Sequence, residues 1–312
     1  GVVFDGSSQV NVHTLVASSL DLVGNTIAER NEAFKRGILF SPTDGNGPSG
    51  RQATAKFGTL FPDAQKSLKG EVYAAGDGVS VEAGALISTQ TRGAAMLFGH
   101  NVVNRGTITS PDGQVVIAAG GSIYLARNYD EGGSVDPNLR GVLAGVDRGG
   151  QALNAGIITT ERGNITMAGK SVAQGGALLA STAARANGSI TLVAGDNIYA
   201  GSGPGNIKPN RAYDVSLLPS SLIAVTPDTD GEKAIGFDQF RASKVDVRGR
   251  FVTMGDNATI YAPSGRVGLI ARLGDNDVDA NAEDNSRLYI DRGAVIDVAG
   301  LTDVVLPMER NV

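Results

Sequence analysis

The chain repeats itself, and a repeat constrains a fold more than any single motif does. Gly113-Gln114-Val115-Val116-Ile117, Gly163-Asn164-Ile165-Thr166-Met167, Gly188-Ser189-Ile190-Thr191-Leu192 and Gly265-Arg266-Val267-Gly268-Leu269 each read glycine, polar, apolar, any residue, apolar. Alternation at every second residue puts Val115 and Ile117, and their counterparts, on one buried face of a short strand and leaves the other face wet. The interval from Gly163 to Gly188 is the shortest, that from Gly113 to Gly163 is twice as long, and that from Gly188 to Gly265 is close to three times as long. These intervals predict one, two and three steps of a single repeating unit. A unit spanning Gly163 to Gly188 exceeds a hairpin pair and suits one rung of a β-solenoid, with about three short strands per rung.

Two further elements recur. A second short strand follows a small-residue corner in Ser122-Ile123-Tyr124-Leu125, Ser171-Val172-Ala173 and Asn197-Ile198-Tyr199. Asn or Asp precedes an x-Gly corner leading into a strand in Asn104-Arg105-Gly106, Asn154-Ala155-Gly156 and Asp291-Arg292-Gly293. Asn and Gly tolerate left-handed backbone angles that other residues resist. Three stretches break the pattern: residues 24–70, with the polar run from Ser41 to Gly50, and residues 127–150 and 201–235, the last carrying Pro204, Pro209, Pro219 and Pro227. We read these as excursions from rung corners, where solenoids accept insertions.

Composition supports a folded chain of corners and small strands. Glycine supplies 43 of 312 residues, aromatics only 5%, and Trp is absent, while a hydrophobic fraction of 41% is too high for disorder. The net charge of −5 provides no basic footprint for DNA or RNA, so nucleic acid is not an expected partner. With no cysteine, disulfides, thiolate zinc sites and thiol nucleophiles are excluded. No apolar run is long enough to predict a transmembrane helix. The opening Gly1-Val2-Val3-Phe4 carries no initiator Met or signal peptide, and Met308-Glu309-Arg310-Asn311-Val312 closes abruptly after Val304-Val305-Leu306, so both ends read as internal to a longer protein.

Gly1-Val2-Val3-Phe4-Asp5-Gly6-Ser7-Ser8-Gln9-Val10-Asn11-Val12, followed by Leu15-Val16-Ala17-Ser18-Ser19-Leu20-Asp21-Leu22, resembles the secretion domain of two-partner-secretion exoproteins of the filamentous haemagglutinin family. That family carries an Asn-Pro-Asn-Gly motif just before this segment, and the chain begins at the Gly. Asn31 through Phe40 is similar to a further family segment, and Val102-Val103-Asn104-Arg105-Gly106-Thr107-Ile108 with Ser110-Pro111-Asp112-Gly113-Gln114-Val115 is similar to its rung signature. The closing Gly293 through Met308 resembles very long members. The resemblance covers the whole chain, most specifically residues 1–40 and 94–200. It implies an all-β, right-handed parallel β-helix (β-solenoid) with inserted surface loops, exported through an outer-membrane TpsB-type transporter and folding at the cell surface into a fibre. Residues 1–126 are expected to be part of the two-partner-secretion (haemagglutination activity) β-helix domain without its N-terminal cap, and residues 127–312 to continue the shaft as one solenoid. The missing cap and the loop at 41–60 keep secretion competence from being assigned to this stretch.

Each candidate site has a plainer reading. Gly45-Asn46-Gly47-Pro48-Ser49-Gly50 matches GxGxxG, but a phosphate loop joins a strand to a helix, and here a Pro sits inside the motif with no amphipathic helix after it. Asp275, Asp277 and Asp279, with Glu283 and Asp284, form the candidate Ca²⁺ cluster; Ala280 and Ser286 stand where an EF-hand needs Gly and Glu, so we read a solvated acidic loop. His13 and His100 are the only imidazoles, too few for a multi-histidine metal site, and are expected at outward strand or corner positions. Asp246, Arg248 and Arg250 alternate outward while Val245 and Val247 point inward, the nearest approach to the face of a polysaccharide-degrading β-helix enzyme. Charge on that side is also what a soluble solenoid requires. No catalytic residue, cofactor-binding residue or cofactor is assigned, and the chain is not expected to be an enzyme. The expected function is a secreted surface fibre and adhesin of a Gram-negative bacterium, meeting a host or neighbouring cell and open to end-to-end self-association. The alternatives are the polysaccharide enzyme and the stalk of a contact-dependent toxin.

Overall fold

The computed structural model describes residues 1–22, 28, 31, 57–58, 78–127, 141–147, 150–182, 188–196, 198–200, 211–228, 243–274 and 285–300. These residues are almost entirely β-structure, with helical backbone only at Ala28 and Asn31. Most strands belong to three parallel ladders. The first stacks Val2–Phe4, Gly78–Val81, Asn101–Asn104, Gln151–Asn154, Ser171–Gln174, Asp214–Leu217, Phe251–Met254 and Arg287–Ile290, in that order. The second and third share the long strands Gln9–Ser18 and Leu86–Gly99, whose halves serve one ladder each. The second continues through Thr107–Thr109, Ile157–Thr160, Ala177–Thr182, Leu222–Pro227, Thr259–Tyr261 and Val295–Asp297. The third continues through Gln114–Ala119, Asn164–Gly169, Ser189–Asp196, Lys244–Gly249 and Arg266–Ala271. The chain visits first, second and third ladder in turn, so each visit to all three is one circuit.

Equivalent residues of successive circuits pair Cα to Cα, and this register builds columns. Ile87, Ile108, Ile158, Leu178, Ile223 and Ile260 form the inward column of the second ladder, all buried. Valines fill the matching column of the first, including Val79, Val102, Val172, Val215 and Val252. Each such side chain contributes about 1.5–3 kcal/mol of burial. All three ladders run through position 126 without interruption, pairing Asn101–Asn104 with Gln151–Asn154 and Gln114–Ala118 with Asn164–Ala168.

The step between circuits differs from the expected uniform spacing. Asn164 pairs with Gln114, so the interval from Gly113 to Gly163 is a single step rather than two. Lys244 pairs with Ser189 and Arg266 with Lys244, so the interval from Gly188 to Gly265 is two unequal steps rather than three, the first much the longer. Segments inserted between ladders account for the surplus. The three look-alike second strands also part company. Ser171–Gln174 joins the first ladder, whereas Ser122–Arg127 and Ile198–Ala200 leave the parallel ladders for a five-stranded antiparallel sheet. Within 201–235, Asp214–Leu217 and Leu222–Pro227 are ladder strands. Their prolines do no harm because Pro219 lies in a corner and Pro227 is the last residue of its strand.

Corners between the first and second ladders come in two lengths. Four residues separate the strands at 82–85, 218–221, 255–258 and 291–294, and the third residue of each takes positive φ: Gly84, Ser220, Asn257 and Gly293. Two residues suffice at 105–106, 155–156 and 175–176. These three tight corners carry the amides Asn104, Asn154 and Gln174, fully buried where the other circuits have Val81, Leu217 or Met254. Asn104 Nδ2 donates to Asn154 Oδ1 at 2.7 Å, and Asn154 Nδ2 to Gln174 Oε1 at 2.8 Å. The same side chains bond their own corners, since Gly106 N donates to Asn104 Oδ1 and Gln174 Nε2 donates to Gly176 O. The amide column thus adds hydrogen bonds to the backbone of the two-residue corners. Gly156 and Gly176 are needed for space, because a Cβ at either would overlap the corner carbonyl of the preceding circuit. The expected link between the Asn/Asp-x-Gly motif and left-handed angles therefore holds only for Asp291-Arg292-Gly293.

The amide column and a lone buried hydroxyl make opposite predictions. Asn154→Leu breaks the chain of amides and strands its neighbours, and is expected to destabilise the protein by about 2–4 kcal/mol. Thr160 Oγ1 is buried and makes no hydrogen bond, so Thr160→Val is expected to be neutral or to stabilise by up to about 1 kcal/mol. Urea unfolding of both variants checks the contrast.

Candidate functional site

The corner between the third and first ladders alternates in a regular way. One residue makes the connection at His100, Lys170 and Arg250. In the circuits between, long segments intervene: 19–77, 120–150, 197–213 and 272–286. Every second circuit therefore carries an insertion at this edge. Two of the insertions, 120–150 and 272–286, have both ends seated on the one-residue corner of the circuit before. Gly120 N donates to Gly99 O and Gln151 N to His100 O, at 2.8 and 3.1 Å. Arg272 N donates to Gly249 O and Arg287 N to Arg250 O, at 2.9 and 3.0 Å. With departure and return adjacent, loop length carries only a slowly growing entropic cost.

The inserted segments build a second layer. Ile198–Ala200, Val142–Asp147, Ser122–Arg127, Phe57–Gly58 and Asp21–Leu22 form the antiparallel sheet in that order. It covers the outer face of the third ladder, where Phe98, Val116 and Ala118 pack with Ile123, Leu125 and Val146 in a second apolar cluster. The expectation that this strand face stays wet is corrected here. Gln114 ties the layers together, its Nε2 donating to Val142 O at 2.8 Å and its Oε1 accepting from Val142 N at 2.7 Å. The missed signal lies in Val115-Val116-Ile117-Ala118-Ala119, an unbroken apolar run that marks a strand buried on both sides.

Charged candidates prove to be bound into the frame. Asp246 is buried and accepts from Arg248 Nε at 2.7 Å and Nη2 at 2.6 Å, with Lys244 Nζ 3.3 Å away. Arg250 does not share that face. It is the corner residue, its guanidinium lies 5.5 Å from the Phe251 ring centroid, and Nη2 bonds Asn285. The Asp246 carboxylate is thus held by two cations of its own strand. Arg162 links circuits at the opposite edge, Nε donating to Asp112 at 2.7 Å and Nη1 to Asp228 at 2.6 Å. The hydrogen bond to Asp112 raises the guanidinium's pKa above its ordinary value; burial opposes this, and Asp228 adds to it.

His13 is exposed beside Thr14, its Nδ1 3.0 Å from Oγ1, and His100 forms its one-residue corner elsewhere, so the structure does not bring them together. Asp275, Asp277 and Asp279 lie outside the described residues, in the segment joining Arg266–Ala271 to Arg287–Ile290, as do Glu283 and Asp284. Gly45 to Gly50 also falls outside them. Among the described residues no three His, Asp or Glu side chains cluster as a metal site would require, and no helix is long and apolar enough to cross a membrane. The recurring surface feature is the inserted edge, where segments of different length and composition leave and rejoin the ladders. No protein-family model and no curated protein matches the chain.

Arg162→Met leaves two partly buried carboxylates facing each other without their cation, and is expected to cost about 1–3 kcal/mol. The guanidinium's pKa is raised on folding, so its contribution is present at every pH below the unfolded value, far into the alkaline range. Urea titrations of wild type and variant should therefore give the same stability difference at pH 7 and at pH 10.

Proposed function

We propose that this chain is a shaft segment of a large secreted surface protein of the filamentous haemagglutinin type, a right-handed parallel β-helix serving as fibre and adhesin. The ladders form the shaft, and the inserted edge provides the contact surface. The observation that carries this reading is the alternation of one-residue corners with insertions at the third-to-first edge. Such a frame accepts variable loops without disturbing its stacking, as a display scaffold requires. The family resemblance of residues 1–22 supports it further, because that segment forms the opening circuit, Val2–Phe4 with Gln9–Ser18. On this reading the partners are an outer-membrane β-barrel transporter during export and a host or neighbouring cell surface afterwards. The location is the surface of a Gram-negative bacterium, and no turnover is involved.

Binding of fluorescently labelled protein to epithelial and bacterial cells tests this directly. Wild type is expected to bind saturably. Replacing residues 128–140 by a short Gly-Ser linker, or separately residues 275–284, is expected to reduce binding severalfold in at least one case while leaving the melting temperature unchanged. Incubation with polygalacturonate, alginate and chitin, with and without Ca²⁺, is expected to yield no product. Released oligosaccharide, or binding indifferent to every insertion, would contradict the reading.

A further inference from the structure

The second ladder presents an outer face unlike the other two. It runs in unbroken register from the Leu86 circuit to the Val295 circuit. From Leu86 to Tyr261, the two outward positions in each of six circuits hold only aliphatic, Ser, Thr or Tyr side chains, and the first charge appears at Asp297. Leu86 and Ile157 are 46% and 45% exposed, so nothing among the described residues covers them. Charges border this stripe without entering it: Glu82 and Arg105 pair along one corner, Arg162 and Asp228 along the other. By contrast, the third ladder is covered by the antiparallel sheet or carries Lys244, Asp246 and Arg248, and the first carries Asp214 and Arg287.

We propose that this face pairs with the same face of a second copy of the chain, so that shafts associate side by side. Three observations favour that occupant. Rows of side chains repeat at about 4.8 Å along the ladder, and a partner with the same repeat meets them row for row over the full length, with sheets about 10 Å apart. Copies of net charge −5 repel across most surfaces, and the stripe is where like charges are not brought together. Its area is also appropriate to weak contact that accumulates: about 30 Å by 13 Å, hence about 800 Å² buried for a pair, below the roughly 1,200 Å² of a stable complex. A two-fold axis places the same patch on both sides and closes the pair. Shafts with more circuits extend the contact in proportion and bind correspondingly more tightly.

Sedimentation equilibrium of the full chain from about 10 µM to 1 mM tests the pairing, with a dissociation constant expected in the upper part of that range. Leu86→Lys with Ile157→Lys is expected to weaken association tenfold or more, with an unchanged circular dichroism spectrum and melting temperature. Thr159→Lys alone provides the same test should the double variant fold poorly. Val3→Lys, exposed on the first ladder, is expected to leave association as in wild type. A wild type that stays monomeric throughout overturns the proposal, as does association unaffected by the lysines in the second ladder or abolished equally by Val3→Lys. A monomer that still binds cells would leave the adhesin reading standing and remove only the pairing.

Discussion

Everything in this protein depends on backbone hydrogen bonding between equivalent strands of successive circuits. Each strand interior to a parallel ladder satisfies its N–H and C=O groups on both sides through its neighbours. Once that pairing is in register, side chains of like position stack at one height after another, and the interior becomes a set of columns. A column rewards uniform chemistry. Aliphatic side chains fill space from circuit to circuit in the Ile87 to Ile260 column, and amides pass hydrogen bonds along from Asn104 to Gln174. Thr160 Oγ1, buried between the linked Thr89 and Ser110 hydroxyls and Ala180, makes no hydrogen bond.

Register also explains which corners tolerate change. The first-to-second corner is held to two or four residues, because it must return the chain into the neighbouring ladder at once. At the third-to-first corner the single-residue connections at His100 and Arg250 serve as platforms: an insertion departs and returns over the same carbonyls that a one-residue corner would use. The frame is therefore indifferent to what lies between Gly120 and Gln151 or between Arg272 and Arg287. Stability and surface chemistry are thereby separated. The clamped Asp246 and the linked Asp112, Arg162 and Asp228 are tied into the frame by ion pairs.

The sequence makes the strand interior plain and the connections obscure. Alternation in Ile165-Thr166-Met167 or Val245-Asp246-Val247 states which side chains face inward, since a strand has only two faces. Spacing is less informative, because insertions change the distance between equivalent residues while leaving their pairing intact; the interval from Gly113 to Gly163 looks like two steps and is one. The antiparallel layer escapes notice for a related reason. Ser122-Ile123-Tyr124-Leu125 has the same local pattern as Ser171-Val172-Ala173, and only tertiary pairing separates them. The doubly apolar run at Val115 to Ala119 is the available clue. Of the candidate site residues, the histidines and Asp246 are legible as isolated or paired groups, whereas the inserted edge is a property of topology and has no local signature.

The central claim is the pairing of circuits across insertions, and introduced cysteines test it cleanly in a chain that has none. Thr109 and Thr159 are opposite one another in the second ladder although a whole insertion lies between them in sequence, and Thr159 is likewise opposite Leu179. Neighbouring strands bring such Cα atoms to about 4.8 Å, inside the window of roughly 4.4–6.8 Å that a disulfide spans. Mild oxidation of Thr109→Cys with Thr159→Cys, followed by digestion and mass spectrometry, should give an intramolecular disulfide in high yield from folded protein. Folded protein whose two thiols stay free, or cross-link only between molecules, would contradict the register on which the account rests.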